Sequence, residues 1–291
     1  MKSTFNLYQT VTDKIIKGLE NKELFWRKPW TGGIEPQNFI TKKPYKGLNR
    51  LLLSLSNKRC PYYLSFKQIN DLKGQVLKGA KSELITYWNV FEKETGEKDE
   101  NGQPITETRF YLKYYRVFNL EDTKGIDWES ELEKHMNKRT KYEKLEECEN
   151  IVSDYLQAEE IEVKHIEQKA YYVPDFDYIN MPLQETFKSD EEYYSTLFHE
   201  VTHSTMKETR TKRIKNNEIN YAKEELIAEM GNAFLCHMTG IEQATLENSQ
   251  AYINSWLKAL KSDEKYIIFA SQQAQKAVDY ITSKQKELIT A

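Results

Sequence analysis

The sequence predicts an α+β protein of two domains, an N-terminal α+β domain with a small antiparallel sheet and a C-terminal, mostly helical domain with a short sheet. Three observations carry that prediction. Two aromatic and β-branched runs, residues 84–91 and 110–118, flank a polar segment containing Gly96, Gly102 and Pro104, which reads as a hairpin. In the C-terminal third, apolar residues recur at helical spacing. The charge also divides near Gly125: residues 1–125 hold 22 Lys and Arg against 14 Asp and Glu, a net of +8, and the remainder holds 20 against 31, a net of −11. With 291 residues each part can bury a core. The boundaries expected are 1–125 for the first domain, 126–155 for a linker and helix, and 156–291 for the second domain.

Taken in order, residues 4–22 place Phe5, Leu7, Val11, Ile15, Ile16 and Leu19 near helical spacing and form a helix. An aromatic and basic loop follows at 26–30, then a Gly- and Pro-containing stretch to Pro44. A short helix is expected over 66–72, then the two strands with their loop at 92–108. Residues 126–156 are charged, with scattered apolar positions at helical spacing, which fits a linker and then a helix packed on the second half. Residues 169–174 and 178–182 read as short strands joined by a turn at 175–177. Ser189 followed by Glu192 is a capping-box pattern opening a helix that carries Tyr194, Leu197, Phe198 and Val201 on one face. Residues 251–257 and 267–281 are the clearest helical segments near the C-terminus.

Cys60, Cys148 and Cys236 stand far apart with no Cys-x-x-Cys pair, which excludes a disulfide scaffold and a cysteine zinc site. No apolar run is long enough for a membrane span and the N-terminus lacks an apolar signal core, so a cytoplasmic protein with no membrane partner is expected.

One string points to chemistry: His199, Glu200 and His203 form His-Glu-x-x-His within the helix begun at Ser189. Residues four apart lie one turn above each other, so both imidazoles can reach a single Zn²⁺ while Glu200 serves as general base toward water. A catalytic zinc needs a third protein ligand, and a carboxylate cluster follows in Glu224, Glu225 and Glu229. Glu225 is the expected ligand. Glu229, one turn further on, is placed to accept a hydrogen bond from the far nitrogen of a ligand His, with Glu224 and Glu229 as alternative ligands. The cofactor expected is one Zn²⁺, with Mn²⁺ or another divalent ion as the alternative. His135, His165 and His237 lack this spacing.

The first half interleaves rings with cations. Trp26, Arg27, Lys28 and Trp30 form one group; Lys42, Lys43, Tyr45, Lys46, Asn49 and Arg50 form a second. Stacking rings plus cations that follow phosphates is how single-stranded nucleic acid is held. These ten residues are the expected nucleic-acid contacts.

Together these strings resemble the antirestriction protein ArdC family nearly end to end. The resemblance rests on residues 26–30, 44–49, 64–68, 74–79 and 115–119 in the first half. In the second it rests on 170–172, 177–182, the His-Glu-x-x-His helix, 221–229 and 251–256. It implies an N-terminal single-stranded-DNA-binding domain, a C-terminal zincin-like metallopeptidase domain, carriage on plasmids, phages or other mobile elements, and protection of incoming DNA from restriction. One departure is visible. After His203 the chain reads Ser-Thr-Met-Lys-Glu-Thr-Arg, where the family usually has a Thr-Gly-His turn, so the loop from Met206 to Asn220 is expected to be shaped differently. Two rival readings stand beside an antirestriction role: a regulatory metalloprotease cleaving a host or element-encoded protein, and a DNA-binding module whose metal is purely structural.

Overall fold

The computed structural model describes residues 6–21, 34–56, 58–98, 104–135, 139–213, 221–241 and 249–289. Helix α1 (Leu7–Glu20) starts at Asn6, whose side chain accepts the Gln9 amide, and buries the stripe Leu7, Val11, Ile15 and Leu19. Strand β1 (Gln37–Asn38), helix α2 (Gly47–Ser54), strand β2 (Tyr62–Leu64) and helix α3 (Phe66–Asp71) follow. A reciprocal capping box between Ser65 and Gln68 opens α3. After β3 (Gln75–Val76) come the long partners β4 (Glu83–Lys98) and β5 (Pro104–Asn119), then β6 (Thr123–Lys124). The main sheet has the order β1-β2-β5-β4, antiparallel except for the β1–β2 pair, and β3 pairs separately with β6.

The hairpin is longer than expected. The ladder runs on through Glu92–Thr108, Lys93–Glu107 and Glu94–Thr106, residues whose polarity marked them as loop. Backbone pairing is indifferent to side-chain polarity where a sheet faces water, so alternation signalled only the inner part of each strand.

The second half contains α4 (Trp128–His135), α5 (Lys141–Ala158), β7 (Glu162–Lys164), β8 (Tyr171–Val173), β9 (Tyr178–Asn180), α6 (Asp190–Ser204), α7 (Tyr221–Thr239), α8 (Ser249–Ser262) and α9 (Tyr266–Ile289). Its sheet has the order β7-β9-β8, with β7 parallel and β8 antiparallel to β9. Strand β7, Glu-Val-Lys, is too short for its alternation to stand out from a loop. Helix α5 buries Cys148, Ile151, Val152 and Tyr155 and belongs with α6, α7 and α9.

The largest apolar core crosses the boundary between the halves. Leu7, Val11, Ile15, Leu19, Leu48, Leu51 and Leu52 join Phe198, Phe234, Trp256 and Ile267 in one cluster, and two smaller clusters lie under the first sheet. Polar seams support it: Thr12 Oγ1 donates to the Glu264 carbonyl at 2.6 Å, and the Gly47 amide donates to Gln275 Oε1 at 2.9 Å. Gly47 sits at φ +53°, with the Ser271 carbonyl 3.5 Å from where a Cβ would lie. The three cysteines are buried thiols outside any disulfide, and burial pushes those of Cys60 and Cys148 up, to about 12 and about 11. Among the described residues no helix is long and apolar enough to cross a membrane.

Candidate metal centre

Helix α6 carries the motif. Ser189 Oγ accepts the Glu192 amide at 3.2 Å, as the capping pattern predicted. The return bond differs from a full box: Glu192 Oε2 accepts from the Lys188 amide at 2.8 Å, one residue before the cap. Ten of the helix's last eleven residues, Tyr194 to Ser204, are buried, because α6 lies between α7, α5 and the β8 strand. The α6–α7 approach depends on Gly231, where a Cβ would come within 2.5 Å of Thr202 Cγ2. That contact brings the two imidazoles of α6 up to the carboxylates of α7.

The three expected ligands converge. His199 Nε2 and His203 Nε2 lie 3.1 Å apart, and each is 3.5 Å from a Glu225 carboxylate oxygen. A tetrahedral ion with ligands at 2.0–2.2 Å has ligand–ligand edges of about 3.3–3.6 Å, close to these separations, with the two 3.5 Å edges running to different oxygens of Glu225, Oε2 for His199 and Oε1 for His203. Among the described residues His199, His203 and Glu225 are the one group of three or more such side chains close enough to hold an ion. Two imidazoles and a carboxylate form a donor set suited to Zn²⁺, and the oxygen also suits Mn²⁺.

The far nitrogens have carboxylate neighbours as well. His199 Nδ1 faces Glu229 Oε2 at 3.7 Å, which puts Glu229 on the expected side of the ring but beyond hydrogen-bond length. His203 Nδ1 faces Glu224 Oε1 at 3.5 Å, and Glu224 is gripped by Arg213 through Nη2 at 2.6 Å and Nε at 3.0 Å. Sequence reasoning missed this pair: Glu224 was only an alternative ligand, and Arg213 lies in a loop whose spacing carries no signal. Burial alone would favour neutral imidazoles, yet Glu225 and Glu229 hold His199 well above its ordinary pKa, and Glu224 and Glu225 do so for His203. Burial would likewise raise the Glu225 carboxyl, but the two imidazoles hold it far below the usual range. Three carboxylates thus surround the two imidazoles.

Glu200 is buried beside the triangle in a cleft of about 350 Å³, lined also by Tyr171, Tyr172, Pro174, Met206 and Tyr221. The cleft is thus lined by the edge strand β8 and by the His199, His203 and Glu225 triangle.

Of the loop expected from Met206 to Asn220, residues 206–213 are held by two arginines and 214–220 lie outside the described residues. Arg210 donates to the Ser204 carbonyl at 2.8 Å and Arg213 to the Thr202 carbonyl at 2.9 Å, closing the C-terminus of α6. Arg210 also grips Asp177 through two bonds of 2.8 Å and Glu159 through one of 2.7 Å.

A solved structure of the metal-free antirestriction ArdC protein from the R388 plasmid superposes with a TM-score of 0.76 at 33% identity, covering 97% of this chain and 99% of that one. The chain belongs to the ArdC antirestriction family. The Mn(II)-bound structure of that R388 ArdC protein aligns with a TM-score of 0.72 at 32% identity, covering 97% and 98%. Residues 5–118 match the N-terminal domain of anti-restriction factor ArdC, and residues 150–273 match the zincin-like metallopeptidase family. Curated relatives include a DNA primase TraC of Escherichia coli, 30% identical over 97% of this chain, and an uncharacterized protein y4eC of Sinorhizobium fredii, 26% identical over 97%. This ArdC-family chain spans 27% of that primase and 93% of y4eC.

Of the expected nucleic-acid contacts, Trp26, Arg27, Lys28 and Trp30 lie outside the described residues. Lys43 is exposed, and exposed Lys46 pairs with Asp279 at 2.9 Å. Lys42 stands over the Phe39 ring at 4.2 Å and pairs with Glu131 at 2.6 Å. Tyr45 is half-buried edge-on to Tyr63, and burial raises its hydroxyl pKa. Two residues are turned inward. Asn49 exchanges hydrogen bonds of 2.7 Å with the Thr86 backbone, and buried Arg50 pairs with Glu35 and covers the Phe234 ring at 4.6 Å. Both are committed to the fold: α2 sits between sheet and helices, where a polar side chain must find a protein partner.

Proposed function

We propose that the chain protects DNA entering a cell from restriction by binding its single strands through residues 1–125, while residues 156–291 form a peptidase site holding one divalent ion, Zn²⁺ first and Mn²⁺ as the alternative. The reading includes action in the cytoplasm and carriage on a plasmid, phage or other mobile element. The triangle of His199 Nε2, His203 Nε2 and Glu225 carries the enzymatic part, because its edges of 3.1–3.5 Å suit one ion and Glu200 shares its cleft. The net +8 of the first half supports the DNA part, as do relatives named for antirestriction and for a DNA primase.

In this reading His199, His203 and Glu225 are ligands, and Glu229 and Glu224 fix the imidazole tautomers from behind. When bound, the ion supplies Lewis acidity, acidifying water and polarising a carbonyl. Glu200 takes the proton from the attacking water and returns it to the departing amine nitrogen. An extended protein substrate lies along the free edge of β8, its backbone completing the strand's hydrogen bonding.

The test compares wild type with His199→Ala and Glu200→Gln. His199→Ala is expected to lose the bound metal measured in purified protein, and Glu200→Gln to keep the metal and fold while losing peptide cleavage. Equal metal content in wild type and His199→Ala would remove the site. Retained antirestriction in Glu200→Gln would assign protection to the DNA-binding half alone.

A further inference from the structure

The exposed face of the β4–β5 hairpin carries an aromatic and basic stripe that none of the expected contacts include. The register puts Tyr87 opposite Lys113 and Ile85 opposite Tyr115, so alternation places Tyr87, Tyr111, Lys113 and Tyr115 on one face. Tyr115 is 58% exposed and Tyr111 36% exposed. The Tyr87 and Tyr115 rings stack with centroids 4.7 Å apart and planes 11° from parallel, while Lys113 Nζ stands 4.8 Å from the Tyr111 centroid. At its inner end the same face continues into buried Val117 and Tyr63, which anchor it to the sheet.

We infer that this stripe is a stacking platform for single-stranded DNA, with bases on Tyr115 and Tyr111 and a phosphate on Lys113. The inference rests on the DNA-binding reading above and locates its surface. Rings held by a sheet rather than a loop are already ordered, so little side-chain freedom is lost when a base stacks on them. A base offers every aromatic a flat π-face, and a neighbouring ammonium suits the phosphate that must accompany it. The charge argument selects the partner: the stripe lies in the half of net +8, and a polyanion is drawn there and away from the remainder at −11.

The experiment uses the full chain and a fluorescently labelled oligothymidine, read by anisotropy against salt. Tyr115→Ala and Tyr111→Ala are each expected to weaken binding about tenfold, with Tyr115→Phe close to wild type. Lys113→Ala is expected to lower the slope of log affinity against log salt by about 1. Tyr142→Ala, at a 74% exposed ring on α5, is the control and is expected to bind as wild type does. Melting curves accompany each variant, and Lys113→Glu repeats the test should an alanine variant fold poorly. Wild-type binding with Tyr111→Ala, Tyr115→Ala and Lys113→Glu all within twofold of it would overturn the platform while leaving the DNA-binding reading intact. A wild type that does not bind the oligonucleotide at low salt would overturn both. Variants that lose antirestriction in cells yet bind DNA normally would reassign the stripe to a protein partner.

Discussion

Arg213, Glu224 and His203 form a relay in which a guanidinium fixes a carboxylate and the carboxylate faces the far nitrogen of an imidazole. Such partners set which ring nitrogen keeps its proton, and replacing one usually costs about 10–100-fold in metal affinity. Glu224→Gln keeps an oxygen for Arg213 but loses the carboxylate's pull on Nδ1–H. The variant is expected to bind Zn²⁺ about 10–100-fold more weakly in competition with a chelating dye, with its far-ultraviolet circular dichroism unchanged; unaltered affinity would mean that His203 needs no such support. The triad of His199, His203 and Glu225 was legible because one helix repeat and one acidic cluster encode it. Glu224 and Arg213 were not, since no local spacing records a pairing between a residue after α6 and one in α7. Asn49 and Arg50 show the converse: charge and polarity pointed outward from the sequence, while the packing of α2 turned both residues in.

At the scale of elements, the loop after α6 is a buckle that ties α5, the β8–β9 turn and α9 to the metal helix. Burial would raise the Asp177 carboxyl, but bonds from Arg210, Lys207 and Tyr172 hold it below its ordinary 3.8. Burial would raise Glu159 too, yet Tyr280, Arg210 and Lys284 hold it below 4.5. Both carboxylates have folded pKa values below their unfolded ones. Their contribution to stability is therefore complete above about pH 4.5 and drains away as pH falls through the depressed folded values. Arg210→Met is expected to lower stability at pH 7 by about 3 kcal/mol in urea titrations and to flatten the loss of stability between pH 5 and pH 3, approximate bounds set by carboxylate titration. An acid limb as steep as the wild type's would place the linkage elsewhere. The departure from the family's Thr-Gly-His turn was visible in the sequence, but the buckle was not, because its partners lie 33 and 51 residues away. The helices were read well for the opposite reason: α1, α3, α6 and α9 each carry their own apolar stripe or cap. Strand β7 and the outer hairpin carry neither.

For the molecule as a whole, the seam between the halves matters more than the boundary between them. Composition and charge suggested separate cores, and nothing in one stripe of leucines says that its cover comes from helices more than 200 residues later. Heating is expected to give a single calorimetric transition for both halves, and a fragment ending at Gly125 is expected to elute as aggregate, with Leu7, Val11, Ile15 and Leu19 left facing water. Two separated transitions, or a monomeric fragment, would show that each half stands alone. The seam also constrains inheritance. Recombination that divided the gene near codon 125 would leave each half with a raw apolar face, whereas a join outside residues 7–289 would pass the pair on sealed. The unit is thus best passed to another gene as an uncut cassette, in keeping with a primase of which a stretch amounting to 27% aligns with both halves at once.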